Sequence, residues 1–188
     1  MKKMMLMAGI VLIGSSMACN KVKQLANINV NIPYSSQITI PLFAGDSAGI
    51  ALPPGGATLP FPVLPVATNS QQYLSEYNTS SSKILDVDLN SLAMQILSPA
   101  SQNFNFLDTI QVYISANSQP EMLVAYMYNI PKGLTTLNLI TNTGVNLKNY
   151  FVQDTIYFRL NAHINAIPAS GTQLNIASVF HLLANPLD

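Results

Sequence analysis

Thr155-Ile156-Tyr157-Phe158-Arg159-Leu160-Asn161-Ala162-His163-Ile164 is the stretch that decides the fold, together with the run from Leu174 to Leu182 that follows it. Ile156, Phe158, Leu160, Ala162 and Ile164 alternate with Tyr157, Arg159, Asn161 and His163. Beyond a Pro168-Ala169-Ser170-Gly171 break, Leu174, Ile176, Phe180 and Leu182 keep to one face. A period of two sets one side of a strand in a core and the other in water. Two such strands in succession predict a hairpin that ends the domain.

The same period recurs upstream. Ile28, Val30 and Ile32 alternate with asparagines, and Ile38, Ile40 and Leu42 follow, with Pro41 marking an edge or a bulge. Leu85, Val87 and Leu89 alternate with Asp86 and Asp88; the phase then slips at Asn90-Ser91 and resumes with Leu92, Met94 and Ile96, as a β-bulge would make it. Ile110, Val112 and Ile114 form another strand. Met122 to Tyr128 returns from it, and being apolar on both faces it is expected to be central. Leu134 to Ile140 is a further strand. Helical turns are expected only at Ser70 to Asn78 and at Leu147 to Val152. The class is all-β: an antiparallel β-sandwich, immunoglobulin-like or a related two-sheet architecture, forming one domain over residues 27–188.

Residues 44–66 interrupt the pattern with a Pro/Gly-rich yet apolar loop. Leu59, Phe61, Val63 and Leu64 in it are candidates for contact with a partner or ligand if exposed. The competing reading makes the loop a plug for one end of the sandwich.

The first 18 residues read as an export signal. Lys2 and Lys3 precede an apolar run from Met4 to Ile13, and small residues lead to Ala18. That run is far shorter than the roughly 20 residues a membrane-spanning helix needs. Cys19, the chain's only cysteine, comes next. Ser16-Met17-Ala18 is small at the two positions an ordinary signal peptidase reads, and with Cys19 it also resembles a lipobox, with Ser16 where Leu is usual. The lone cysteine favours lipidation at Cys19, since an unpaired thiol has little other use in an oxidising compartment. Asn20 to Ala26 then forms a tether reaching about 25 Å when extended, at roughly 3.3–3.6 Å per residue.

Without the leader, six Lys or Arg and eight Asp or Glu remain, a formal charge of −2. Basic residues this sparse cannot track phosphates, so nucleic acid is not an expected partner. No cofactor and no metal site are expected. His163 and His181 are the only histidines, and in the expected hairpin their rings lie about 13 Å apart at roughly 3.3 Å per residue. Asp86 and Asp88 share a strand face without a calcium loop. Gly45-Asp46-Ser47-Ala48-Gly49 matches the G-x-S-x-G nucleophile elbow, but the Pro53-Pro54-Gly55 run that follows cannot form the helix the elbow requires. The absence of Trp weakens a sugar-stacking module, although the eight tyrosines could substitute.

Ser98-Pro99-Ala100, Phe106-Leu107-Asp108-Thr109-Ile110, Tyr113-Ile114-Ser115-Ala116-Asn117 and Ala184-Asn185-Pro186-Leu187 resemble segments of uncharacterised Bacteroidetes cell-envelope lipoproteins. The resemblance spans about residues 84–187 and implies a β-sandwich at the envelope, with no activity attached. Asp46-Ser47-Ala48, Asp108-Thr109-Ile110 and Asp154-Thr155-Ile156 resemble the O-glycosylation motif of that phylum, which makes Ser47, Thr109 and Thr155 candidate modification sites. Lys21 and Lys23 stand where surface-exported lipoproteins of that phylum tend to be acidic, so the resemblance slightly favours a periplasm-facing position, with the outer membrane as the expected anchor.

The function expected from these readings is that of a non-catalytic, membrane-anchored envelope lipoprotein, a structural or protein-binding accessory. Its expected partners are the membrane, through the N-terminal lipid, and another envelope protein. Two alternatives from other classes are a carrier of a lipid or other hydrophobic ligand and a hydrolase using Ser47.

Overall fold

Among the described residues the alternating segments form strands with their apolar side inward, while Pro41 and Leu42 lie outside the described residues. The computed structural model describes residues 27–40 and 52–187, without the side chains of Leu59 and Pro60. One antiparallel sheet has the order β1 (Ile28–Thr39), β10 (Gln173–Ala184), β4 (Ile84–Ser98), β7 (Thr136–Asn138). The facing sheet runs β2 (Ala57–Pro60), β9 (Thr155–Ile164), β5 (Leu107–Ala116), β6 (Gln119–Tyr128), β8 (Ile140–Thr141). Strand β3 (Leu64–Ala67) pairs with the other half of β9. Two short helices, α1 (Ser70–Glu76) and α2 (Lys148–Phe151), lie where helical turns are expected. This is an all-β antiparallel sandwich.

The terminal hairpin does not form. Strands β9 and β10 belong to different sheets: β9 lies between β5 and the β2–β3 edge, and β10 between β1 and β4. Alternation states which face of a strand is buried, but not which strand lies beside it. Two consecutive strands can satisfy the same core from opposite sides, and the link over residues 165–172 is long enough to cross from one sheet to the other. Thr172 in that link is buried, its hydroxyl donating to Ala169 O (2.6 Å) and its carbonyl accepting from Ile40 N (2.9 Å).

Two other expectations are corrected. Strand β6 is not central, because only the two residues of β8 pair beyond it. The segment 134–140 is not one strand: β7 pairs with β4, then β8 pairs with β6, so the chain steps between the sheets and closes one side of the sandwich. The bulge at Asn90 is present: Ser91 faces Val179, Leu89 faces Phe180, and Asn90 is left over.

The core lies between the sheets. Val87, Leu92 and Met94 meet Ile110, Val112, Ile114, Phe158 and Leu160, all essentially inaccessible. Burying each such side chain contributes about 1.5–3 kcal/mol. Phe180 sits amid rings, with centroids 5.7 Å from Tyr34, 6.4 Å from Phe158 and 6.5 Å from Phe151. The first half of β4 has no strand on its outer side, and residues 146–148 cover that edge instead. Leu147 N donates to Val87 O (2.6 Å), and the Asn146 side-chain amide donates to Leu85 O (3.2 Å).

Candidate functional site

The apolar candidates are mostly structural. Residues 57–60 and 64–67, expected as loop, are edge strands on β9, and Phe61 N donates to Leu160 O (3.0 Å) between them. Phe61 and Leu64 are buried in the core and plug the sandwich, so they are not accessible contacts. Val63 is 51% exposed. The Leu59 side chain, Cys19 and Ser47 lie outside the described residues. An open depression of about 360 Å³ at the start of α1 is lined by Asn69, Ser70, Gln71, Gln72 and Asp154. These groups are polar, unlike the apolar lining a carrier of a hydrophobic ligand requires.

The histidines are placed differently from the hairpin register. His163 pairs across to Thr58 and Thr109, and His181 to Asn31 and Asp88. Each lies on the outer face of its own sheet and is tied to an aspartate: His163 Nδ1 lies 3.5 Å from Asp108 Oδ2, and His181 Nδ1 lies 3.1 Å from Asp88 Oδ2. The other ring nitrogen of His181 is 2.7 Å from Asn29 Oδ1, so this ring joins β1, β10 and β4. Asp108 also meets Lys132 Nζ at 3.4 Å and accepts from the Asn165 amide. These are stitches between neighbouring strands, and the two rings share no centre. Among the described residues no group of three or more His, Cys, Asp or Glu is placed to hold a metal ion.

The side chains that do converge lie on the outer face of the β2–β9–β5–β6–β8 sheet. Alternation sends Tyr157 and Arg159 of β9, Gln111 and Tyr113 of β5, and Tyr126 and Tyr128 of β6 to the same side. Register then aligns them. Tyr128 faces Thr109, Tyr126 faces Gln111, Tyr113 faces Arg159, and Ser115 faces Tyr157. The rings therefore step diagonally across three strands, two residues at a time. From Tyr128 to Tyr157 the row advances six residues and two strands, roughly 22 Å at about 3.3 Å per residue and 4.8 Å per strand.

Local contacts hold the row in place. The Tyr126 and Tyr128 rings pack with centroids 5.1 Å apart. Gln111 Nε2 donates to Tyr128 Oη (3.1 Å). The Arg159 guanidinium lies over Tyr113, 4.4 Å from the ring centre, and donates through Nε and Nη2 to Glu121 at 2.6 and 2.7 Å. The guanidinium plane thus continues the row above Tyr113. Tyr128 is 49% exposed, and Ile140 beside the row is 55% exposed. Candidate modification sites Thr109 and Thr155 are half-buried on this face, near opposite ends of the row.

The hydrogen bond from Arg159 holds the Glu121 carboxyl below its ordinary range, with the guanidinium charge adding to the effect. A carboxylate whose folded pKa is depressed stabilises the fold above its unfolded pKa, and the contribution is lost as pH falls through the folded value. Because Glu121 is largely solvated, the pair is worth about 0.2–1 kcal/mol. Glu121→Gln is expected to lower the urea midpoint slightly at pH 7 and not at all near pH 2. Equal losses at both pH values would show that the ion pair contributes nothing.

No protein-family model matches this chain, and no curated protein matches it. Solved structures that match include two with a weak likeness. The structure of turnip yellow mosaic virus at 100 K matches at 11% identity and a TM-score of 0.30, covering 84% of this chain and 94% of that one. Desmodium yellow mottle tymovirus matches at 14% identity and a TM-score of 0.28, covering 100% of this chain and 95% of that one. Likenesses this weak carry no functional argument.

The tyrosine row was not legible as a motif, because its members are separated by up to 44 positions and meet only through the β6–β5–β9 register. One signal was available. Tyr113 and Tyr157 occupy polar phases of otherwise clean alternations, and an aromatic ring turned outward on a strand is the rarer choice.

Proposed function

We propose that this chain is a non-catalytic, lipid-anchored accessory of the cell envelope that binds a partner through the outer face of the β9–β5–β6 sheet. The observation that carries the reading is the ordered row of Tyr128, Tyr126, Arg159 over Tyr113, and Tyr157 on a face that no other element of the described chain covers. Aromatic and Arg side chains are the ones that dominate binding energy at recognition surfaces. The position of Cys19 after an export-signal-like segment supports anchoring. The short tether to Ala26 keeps the domain close to that membrane, and the outer membrane with a periplasm-facing domain is the favoured location. The separation of the two histidines onto opposite outer faces supports a role without catalysis. The ring-filled centre of the sandwich favours a binding surface over an internal carrier site.

Two measurements test this. Cys19→Ser is expected to move the protein from the membrane fraction to the soluble one; retention in the membrane fraction would refute the anchor. A photo-crosslinking residue at position 128 is expected to give adducts in intact cells that one at Gln95, on the outer face of the other sheet, does not. Equal or absent adducts would refute the binding face.

A further inference from the structure

We infer that the occupant of this face is an extended, uncharged glycan chain. The inference rests on the binding-face reading above and specifies its ligand. Three observations carry it. The first is shape: the rings form a row one ring wide and roughly 22 Å long at the strand spacings already given. A row suits a linear ribbon lying diagonally across the sheet. A protein partner would want a rounded apolar patch, yet aliphatic surface flanks the row only as two separate margins, Leu123 and Ile140 at β6–β8 and Pro65 and Ala67 on β3.

The second observation is charge. Arg159 and Glu121 are the full charges along the row among the described residues, and they neutralise each other in a two-bond pair. Asp108 at the far end is likewise met by Lys132. Such a face gives an anionic or cationic polymer nothing to select it, and an uncharged one no desolvation penalty from an unmatched charge.

The third is the chemistry between the rings. Gln111, Asn161, Thr109 and Ser115 occupy the outward positions that flank them on β5 and β9. A pyranose offers axial C–H groups on its faces and hydroxyls around its rim. Tyr rings meet the faces, while planar amides and hydroxyls donate to and accept from the rim. A flat, equatorially linked glycan presents both along a straight line, sugar after sugar. A coiled one does not.

The protein purified from membranes of expressing cells into detergent micelles can be titrated calorimetrically with chitohexaose and with cellohexaose. Binding to at least one is expected, with Tyr126→Ala and Tyr157→Ala each weakening it roughly three- to tenfold, the size of a single ring contact. Gln95→Ala on the opposite sheet should leave it unchanged. Both tyrosines point outward, so the variants should keep the wild-type melting temperature, and Tyr→Leu at the same positions serves if either does not. The disaccharides should bind far more weakly than the hexasaccharides, because they span only part of the row. The inference is overturned by absence of binding to both hexasaccharides, by binding indifferent to both tyrosines, by equal affinity for disaccharides, or by preference for polygalacturonate. If the glycans fail while crosslinking through position 128 captures a protein, the ligand class is wrong and the binding face stands. If both fail, both readings fall.

Discussion

Phe180→Ala is expected to destabilise the domain by about 3–5 kcal/mol, as truncation of a buried aromatic in a packed core does. The size follows from where the ring sits. Phe180 is 1% exposed on β10, in the middle strand between β1 and β4, and it touches Tyr34, Phe151 and Phe158. Those three neighbours come from β1, α2 and the facing sheet. Removing the ring leaves a void that three elements, β1, α2 and β9, would have to close against β10. The loss should appear as a lower urea midpoint with an unchanged slope. Phe180→Leu, which keeps most of the volume, should cost far less. If Phe180→Ala cost under 1 kcal/mol, the ring would not be the junction of the core.

Gly56→Ala is expected to cost about 2–4 kcal/mol and to loosen β2 from β9. Two effects combine there. Gly56 has φ +86°, a left-handed conformation that costs a side-chain-bearing residue about 1–2 kcal/mol. A Cβ would also fall 2.2 Å from Ile164 O and 3.0 Å from His163 Cε1. The carbonyl belongs to the backbone of a strand paired on both sides, with Ala57 and with Leu107, so it cannot turn aside. Gly55 supplies the control: its φ is +93° but nothing lies within 4 Å of its Cβ position. Gly55→Ala should therefore show the conformational cost alone. Hydrogen exchange at Thr58 and urea midpoints for both variants would separate the terms; equal losses would mean that the close approach to Ile164 contributes nothing.

How far the fold could be read in advance depended on what each pattern encodes. The Leu85–Ile96 run predicted both its strand and its bulge, because a change of phase has one structural translation. The helical turns near Ser70 and Lys148 were marked by lost alternation. The β9–β10 hairpin was misread because neighbours in a sheet are chosen by long-range fit, and the sequence of Ile156 to Ile164 suits any partner that buries the same face. The same gap misplaced the histidines, whose true companions Asp108 and Asp88 come from other strands. Residues 57–67 looked like loop because Pro60, Pro62 and Pro65 obscure alternation, yet an edge strand tolerates proline where no ladder bond is required. The aromatic row was out of reach for a related reason: Tyr113, Tyr126 and Tyr157 sit on three strands, and only register makes them one feature.

The place of β10 has a consequence for the order in which the molecule can be completed. Among the described residues, strand β1 has one ladder neighbour, β10: Ile28 pairs with Ala184 and Thr39 with Gln173. A chain emerging from its N-terminus must carry Ile28–Thr39 with its ladder open until Gln173–Ala184 arrives. Closing so long a loop is entropically slow, and an unpaired strand waiting that long is open to wrong partners. The absence of Lys, Arg, Asp and Glu from Ile28–Thr39 removes one common guard against such pairing, while Pro33 keeps another. The sandwich therefore cannot close before Gln173–Ala184 has been made, and that twelve-residue strand is its latch.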